Sequence, residues 1–126
     1  MRLILTALIF VGGLFFLVTG LWFLVEPVSA GSNFGLIARD SSGLAAMRAD
    51  FTAFFVMAAI CMLAGAWLRR GSLLLIPAAL FGIALAGRIV SALVDGTQDG
   101  FWQPMLVEAG TVIVLLIASR ILPHRV

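Results

Sequence analysis

Apolar residues fill four long stretches of the chain, and short polar segments separate them. The first stretch runs from Leu3 to Val25 and stops at Glu26-Pro27. The second runs from about Leu44 to Leu68, before Arg69-Arg70-Gly71, and carries Arg48 and Asp50 near its start. The third runs from Leu73 to Val94 with Pro77 one turn in, and the fourth from Pro104 to Leu122, before Pro123. Each approaches the roughly 20 residues that cross a bilayer core as a helix. The pattern predicts an all-α, four-helix integral membrane bundle, a single domain over residues 1–126. Proline supports the limits: Pro27 and Pro123 lie just past predicted helix ends, and Pro77 and Pro104 lie in or near first turns, where a missing N–H costs little. Trp22, Trp67 and Trp102 fall near predicted ends, as an interfacial aromatic belt requires. Val28-Ser29-Ala30 has the small residues of a signal-peptide cleavage site. The apolar stretch before it exceeds the roughly 7–15 residues of a signal core, so an uncleaved span is expected.

Composition sharpens this picture. Of 126 residues, 63% are hydrophobic and 11% charged, and the mean hydropathy is +1.18. That leaves too little polar surface to cover a soluble domain. The net charge of +2 comes from arginines scattered along the chain, with no lysine and no basic patch interleaved with aromatics. Nucleic acid is therefore not an expected partner. Arg2, Arg69, Arg70, Arg120 and Arg125 fall at the two termini and the second loop, which share one side of a four-span hairpin topology. The positive-inside rule puts that side in the cytoplasm. A multi-pass protein of the bacterial inner membrane is expected, with both termini cytoplasmic. All six acids (Glu26, Asp40, Asp50, Asp95, Asp99 and Glu108) then lie in the outer half, with Arg39, Arg48 and Arg88.

Arg88 is the costly residue, because it sits inside an apolar run. At 1.5 Å per residue it lies about 9 Å inside the outer end of its helix. On the same scale Asp50 lies about 9 Å, and Arg48 and Glu108 about 6 Å, inside theirs. Charges from three spans thus meet at one level, and Glu26 marks the rim of the first. Arg88, Ser91 and Asp95 share a stripe of the third helix. Arg48 and Asp50 are two residues apart and point to different sides. The expected arrangement turns Asp50 toward Arg88 and sends Arg48 sideways to Glu108, a loop carboxylate or a lipid phosphate. An unpaired charge at a helix centre costs roughly 2.5–3.5 kcal/mol, less near the interface, and pairing offsets it. The candidate cluster is Arg48, Asp50, Arg88, Ser91, Asp95, Glu108 and Glu26. It works either as a ligand site or as a lock on helix register.

Other chemistry is thin. Cys61 is the single cysteine, so no intrachain disulfide forms. Cys61 and His124 do not make an ordinary zinc site unless carboxylates or a second chain contribute. There is no nucleophile elbow, Walker loop or paired-glycine fingerprint. Cys61 reads as a small buried hydrophobe and His124 as a solvated residue near the tail. The phenylalanines read as filler for lipid or core, and Ala78, Gly82 and Ala86 as a small-residue line for tight helix packing. The first loop, residues 26–43, is long for a hairpin, and its Phe34–Arg39 segment is expected either on the membrane surface as a lid or as a cap on the bundle.

Arg48-Ala49-Asp50 opening the second span, Gly87-Arg88-Ile89-Val90-Ser91 in the third, Asp95-Gly96 after it and Glu108 in the fourth form a combined polar motif. It resembles a bacterial family of small four-span membrane proteins known as domain of unknown function 4345, over nearly the whole chain. The resemblance implies a four-helix membrane bundle and the same polar residues. It implies no activity, substrate or cofactor.

Four functions compete. The first is a binding module, in which Arg88 and Arg48 hold a lipid-like, anionic or carbonyl-bearing ligand and the acids orient them. The alternative is a structural or accessory subunit of a homo-oligomer or larger membrane complex, with the charges serving helix packing. A small transporter ranks lower: small multidrug exporters carry a glutamate inside their first span, and here Glu26 stands at its end. An enzyme using Asp50 and Glu108 as an acid–base pair ranks last, because no nucleophile, metal or phosphate cradle accompanies them.

Overall fold

The computed structural model describes residues 2–122. Pro123, His124 and Arg125, read above as a helix stop, a solvated side chain and cytoplasmic charge, lie outside the described residues. The first span is α1 (Arg2–Val25). Pro27 does follow its end, but it also opens a short further helix, α2 (Pro27–Ser32), from the first helical position. After an extended segment Asp40 caps α3 (Ser41–Ala46), its carboxylate accepting from the Gly43 N–H at 3.0 Å. The chain continues through a π-helical turn, Met47–Phe51, into α4 (Thr52–Trp67). A 3-10 turn, Gly71–Leu74, leads into α5 (Leu75–Val94), and α6 (Trp102–Ile121) follows. Four helical segments are long and apolar enough to cross a membrane: Arg2–Val25, Ser41–Trp67, Gly71–Val94 and Trp102–Ile121. The protein is a multi-pass membrane bundle.

The spans pack as two pairs, α1 along α4 and α5 along α6. Glycine brings α1 close to α4. A Cβ on Gly20 would sit 2.7 Å from Val56 Cγ2, and one on Gly13 2.9 Å from Leu63 Cγ. Such close approach is what holds helices together in lipid, where burying apolar surface gains little. The two pairs meet tightly at the end where α1 begins and α6 finishes. There Ile9, Leu74, Leu115 and Ala118 are fully buried. A Cβ on Gly71 would lie 2.6 Å from the Ser119 carbonyl oxygen. The reversal between α4 and the 3-10 turn is closed by Arg69 in the left-handed region (φ 53°) and by Arg70 N–H donating to Gly65 O at 2.9 Å.

At the opposite end, which holds all six acids, the pairs diverge. α5 buries only Pro77, Ala78 and Phe81, all in its first half. Gly82 and Gly87 on α5 and Gly110 on α6 have nothing within 4 Å of a built Cβ. The expected small-residue packing line therefore holds at Ala78 and fails at Gly82 and Ala86, because α5 leans away from the first pair above Phe81. The first loop folds onto the diverging end. Ala30 and Gly31 are buried, and the Phe34 ring packs 5.3 Å from Phe23 and 5.8 Å from Phe55. Of the two roles expected for its Phe34–Arg39 segment, Phe34 takes that of a cap, while Ile37 stands 93% exposed.

Candidate functional site

Arg88 and Glu108 form an ion pair across the α5–α6 interface, Arg88 Nε donating to Glu108 Oε1 at 2.6 Å. The register of the hairpin explains the match. Arg88 precedes the end of α5 at Val94 by six residues, and Glu108 follows the start of α6 at Trp102 by six. Six residues are about 9 Å of helix, so both side chains stand at one level. Glu108 is buried and Arg88 is partly open, with side-chain exposures of 10% and 40%. One guanidinium N–H is used; the two terminal amino groups have no partner among the described residues.

This pairing differs from the sequence-based expectation, which turned Asp50 toward Arg88 and offered Glu108 to Arg48 as one of three possible partners. Helices α5 and α6 are neighbours in a short hairpin, whereas the π turn that carries Asp50 faces Arg88 across a gap. Asp50 has no hydrogen-bond or ion-pair partner among the described residues. Asp50 and Arg48 do point to different sides: Asp50 lines the gap and Arg48, which is exposed, does not. A π turn at this point accords with the tendency of such turns to occur at functional sites. Ser91 and Asp95 satisfy each other, Ser91 Oγ donating to Asp95 Oδ2 at 2.8 Å at the exposed end of α5. Ser91 also borders a small cavity of about 60 Å³ beside Arg88 and Phe101. Glu26 is exposed at the end of α1 and lies outside the gap. The seven candidates thus divide. Arg88, Glu108 and Asp50 share one space, Ser91 borders a separate small cavity together with Arg88, and Arg48, Asp95 and Glu26 line neither.

That space is a groove of about 720 Å³ between α1 and the α5–α6 pair, walled by all four spans. Phe16, Phe55 and Phe81 are buried at its base. Phe16 and Phe81 approach to 4.6 Å between ring centroids, and Phe54 meets Phe81 edge-on at 5.3 Å. Phe15, Thr19 and Trp22 supply one wall, Ala84 and Val107 the other, and Phe34 with Asn33 closes part of the rim. Thr19 turns its hydroxyl back to the Phe15 carbonyl at 2.9 Å, so it offers the groove little polarity. Sequence reasoning passed over these aromatics as filler. A signal was present: Phe51, Phe54 and Phe55 recur at helical spacing directly after Asp50, as do Phe15, Thr19 and Trp22 on the first span.

A concave apolar cavity of this size with a few convergent polar groups accommodates a drug-sized molecule. Cys61 is buried within α4, its Sγ 3.9 Å from Met57 Sδ, and is not among the groove residues. Among the described residues no three His, Cys, Asp or Glu side chains come together as metal ligands. The chain matches no family model, no curated protein and no solved structure.

Proposed function

We propose that this protein is a membrane-embedded binding module for an amphiphile. Its apolar part lies against the phenylalanines of the groove and its polar head at Arg88, Glu108 and Asp50. The observation that carries the reading is the groove itself: about 720 Å³ of aromatic-lined space ending on the three intramembrane charges. The arginine distribution supports placement in a bacterial inner membrane with both termini in the cytoplasm, so that the acidic end and the mouth of the groove face outward. A lipid or a lipid-soluble metabolite then enters from the outer leaflet.

The test is native mass spectrometry of protein released from its own membrane, wild type beside Ala84→Trp. Ala84 lines the groove, so tryptophan fills it while the Arg88–Glu108 pair stays intact. An adduct of fixed mass on the wild type, missing from a folded Ala84→Trp protein, is the expected result. A wild type without adduct, or one whose adduct survives the blockade, overturns the reading.

One observation favours the accessory-subunit alternative: Gly82, Gly87 and Gly110 present small, unpartnered surfaces on the second helix pair. Helices in lipid dock through such surfaces. A stable complex in native membranes that Gly87→Leu disrupts is the result this alternative requires.

A further inference from the structure

The sign of the ligand's charge follows from how the groove distributes its own. Arg88 is already engaged: its Nε donates to Glu108 at 2.6 Å, so one charge of the lining balances another. Asp50 is the third ionisable residue of the lining and has no partner among the described residues. One arginine against two carboxylates leaves a net charge of −1. The surrounding surface has the same preference. Phe51 and Phe54 follow Asp50 on its own span and line the groove with it, and Trp22 lies in the wall of α1. Aromatic faces carry negative potential and attract cations, most strongly where water is excluded. An unbalanced carboxylate bordering lipid is costly until a counter-charge arrives.

We propose that the groove selects a lipophilic monocation, a quaternary ammonium or protonated amine on an apolar body. Asp50 is its counter-charge, and the phenylalanine faces surround its head. The proposal rests on reading the groove as an amphiphile site and adds the ligand's charge class. It reverses the expectation that Arg88 captures an anion, because Glu108 already balances that arginine's charge.

Tetraphenylphosphonium and tetraphenylborate test this directly. They share shape and apolar surface, differ in sign and make no hydrogen bonds. Binding to the full chain in nanodiscs is measured by equilibrium dialysis, with protein-free nanodiscs subtracted. The expected result is saturable 1:1 binding of the cation with no saturable component for the anion. Asp50→Asn, an isosteric change at an exposed side chain, weakens cation binding about tenfold or more, the scale of one charge-assisted contact. Arg48→Gln, two residues away and outside the lining, leaves it unchanged. Glu108→Gln brings the lining to zero and releases Arg88, so cation binding falls and saturable anion binding appears. This reversal carries the test if Asp50→Asn fails to fold.

Wild-type binding of tetraphenylborate at or above the level of the cation overturns the charge assignment and leaves the amphiphile site standing. So does failure of both probes to bind a protein that still carries its native adduct. Cation binding insensitive to both Asp50→Asn and Glu108→Gln overturns it as well. Failure of both probes together with absence of any native adduct removes the groove reading and the charge class at once.

Discussion

Severing the Arg88–Glu108 pair has a cost that can be worked from its geometry. Removing one member of a fully buried pair costs about 3–5 kcal/mol, because the other charge is left without compensation. Here Glu108 is nearly enclosed, with 10% of its side chain exposed, while Arg88 is 40% exposed along the groove. Both stand about 9 Å from the helix ends, short of the middle of a hydrocarbon core about 30 Å thick. Arg88→Met, which strands the enclosed carboxylate, is therefore expected to cost about 2–3 kcal/mol, just below the fully buried range. Glu108→Gln is expected to cost less, about 1–2 kcal/mol, because a long arginine left alone reaches toward the interface. The double variant Arg88→Met/Glu108→Gln leaves no charge and is expected within about 1 kcal/mol of wild type. Reversible unfolding in mixed micelles with increasing dodecyl sulfate gives all four stabilities, and the cycle isolates the pair. Arg88→Met within about 0.5 kcal/mol of wild type, with no measurable coupling, would place the pair among surface bridges of negligible worth and refute the argument.

The close contacts and the open ones make opposite predictions. Gly71→Ala drives a methyl to within 2.6 Å of the Ser119 carbonyl oxygen and is expected to destabilise by about 1–3 kcal/mol in the same assay, the usual cost of overpacking; an unchanged midpoint would mean the two pairs are not locked there. Gly82→Ala and Gly87→Ala meet nothing within 4 Å and are expected to be neutral or to stabilise by up to about 1 kcal/mol through helix propensity. A marked loss in either would reveal a partner on that face. Orientation is read with an impermeant maleimide on intact cells. Asp99→Cys is expected to label and Ser72→Cys to stay protected, while the native Cys61, buried in α4, does not react; the reverse pattern inverts the assigned topology.

The spans were legible because hydropathy, proline and tryptophan all mark the same boundaries; α6 begins at Trp102, two residues before the expected Pro104. The convergence of charges at one level was legible too, since depth follows from counting residues along a helix. Which charges meet was not. Counting fixes height, whereas partners depend on the rotation of each helix, and packing sets that rotation. Glu108 faces Arg88 because α5 and α6 are adjacent, and nothing in the sequence of either helix excludes Asp50. The groove escaped for a different reason. In water, an apolar face without cover is conspicuous, but in a bilayer the side chains facing lipid, core and cavity share one composition. Phe16, at the base of the groove, and Phe15, on its wall, are neighbours that hydropathy treats alike. The same ambiguity made Gly82 look like a packing residue when it faces open space.

The ion pair lies within a single helical hairpin, its members 20 residues apart in the chain. This bears on how the protein enters its membrane. A third span arriving alone would carry a bare guanidinium into hydrocarbon, and a fourth alone a bare carboxylate. Entering together as a hairpin, they present a neutral couple, and the penalty for each charge is met by the other before the first two helices are needed. The second half of the chain can thus be delivered as a self-neutralised unit, and docking onto α1 and α4 becomes a later step governed by the fit of small residues around Gly71. Asp50 has no ion-pair partner among the described residues of its own hairpin, so its charge awaits compensation until the bundle is assembled and the groove exists.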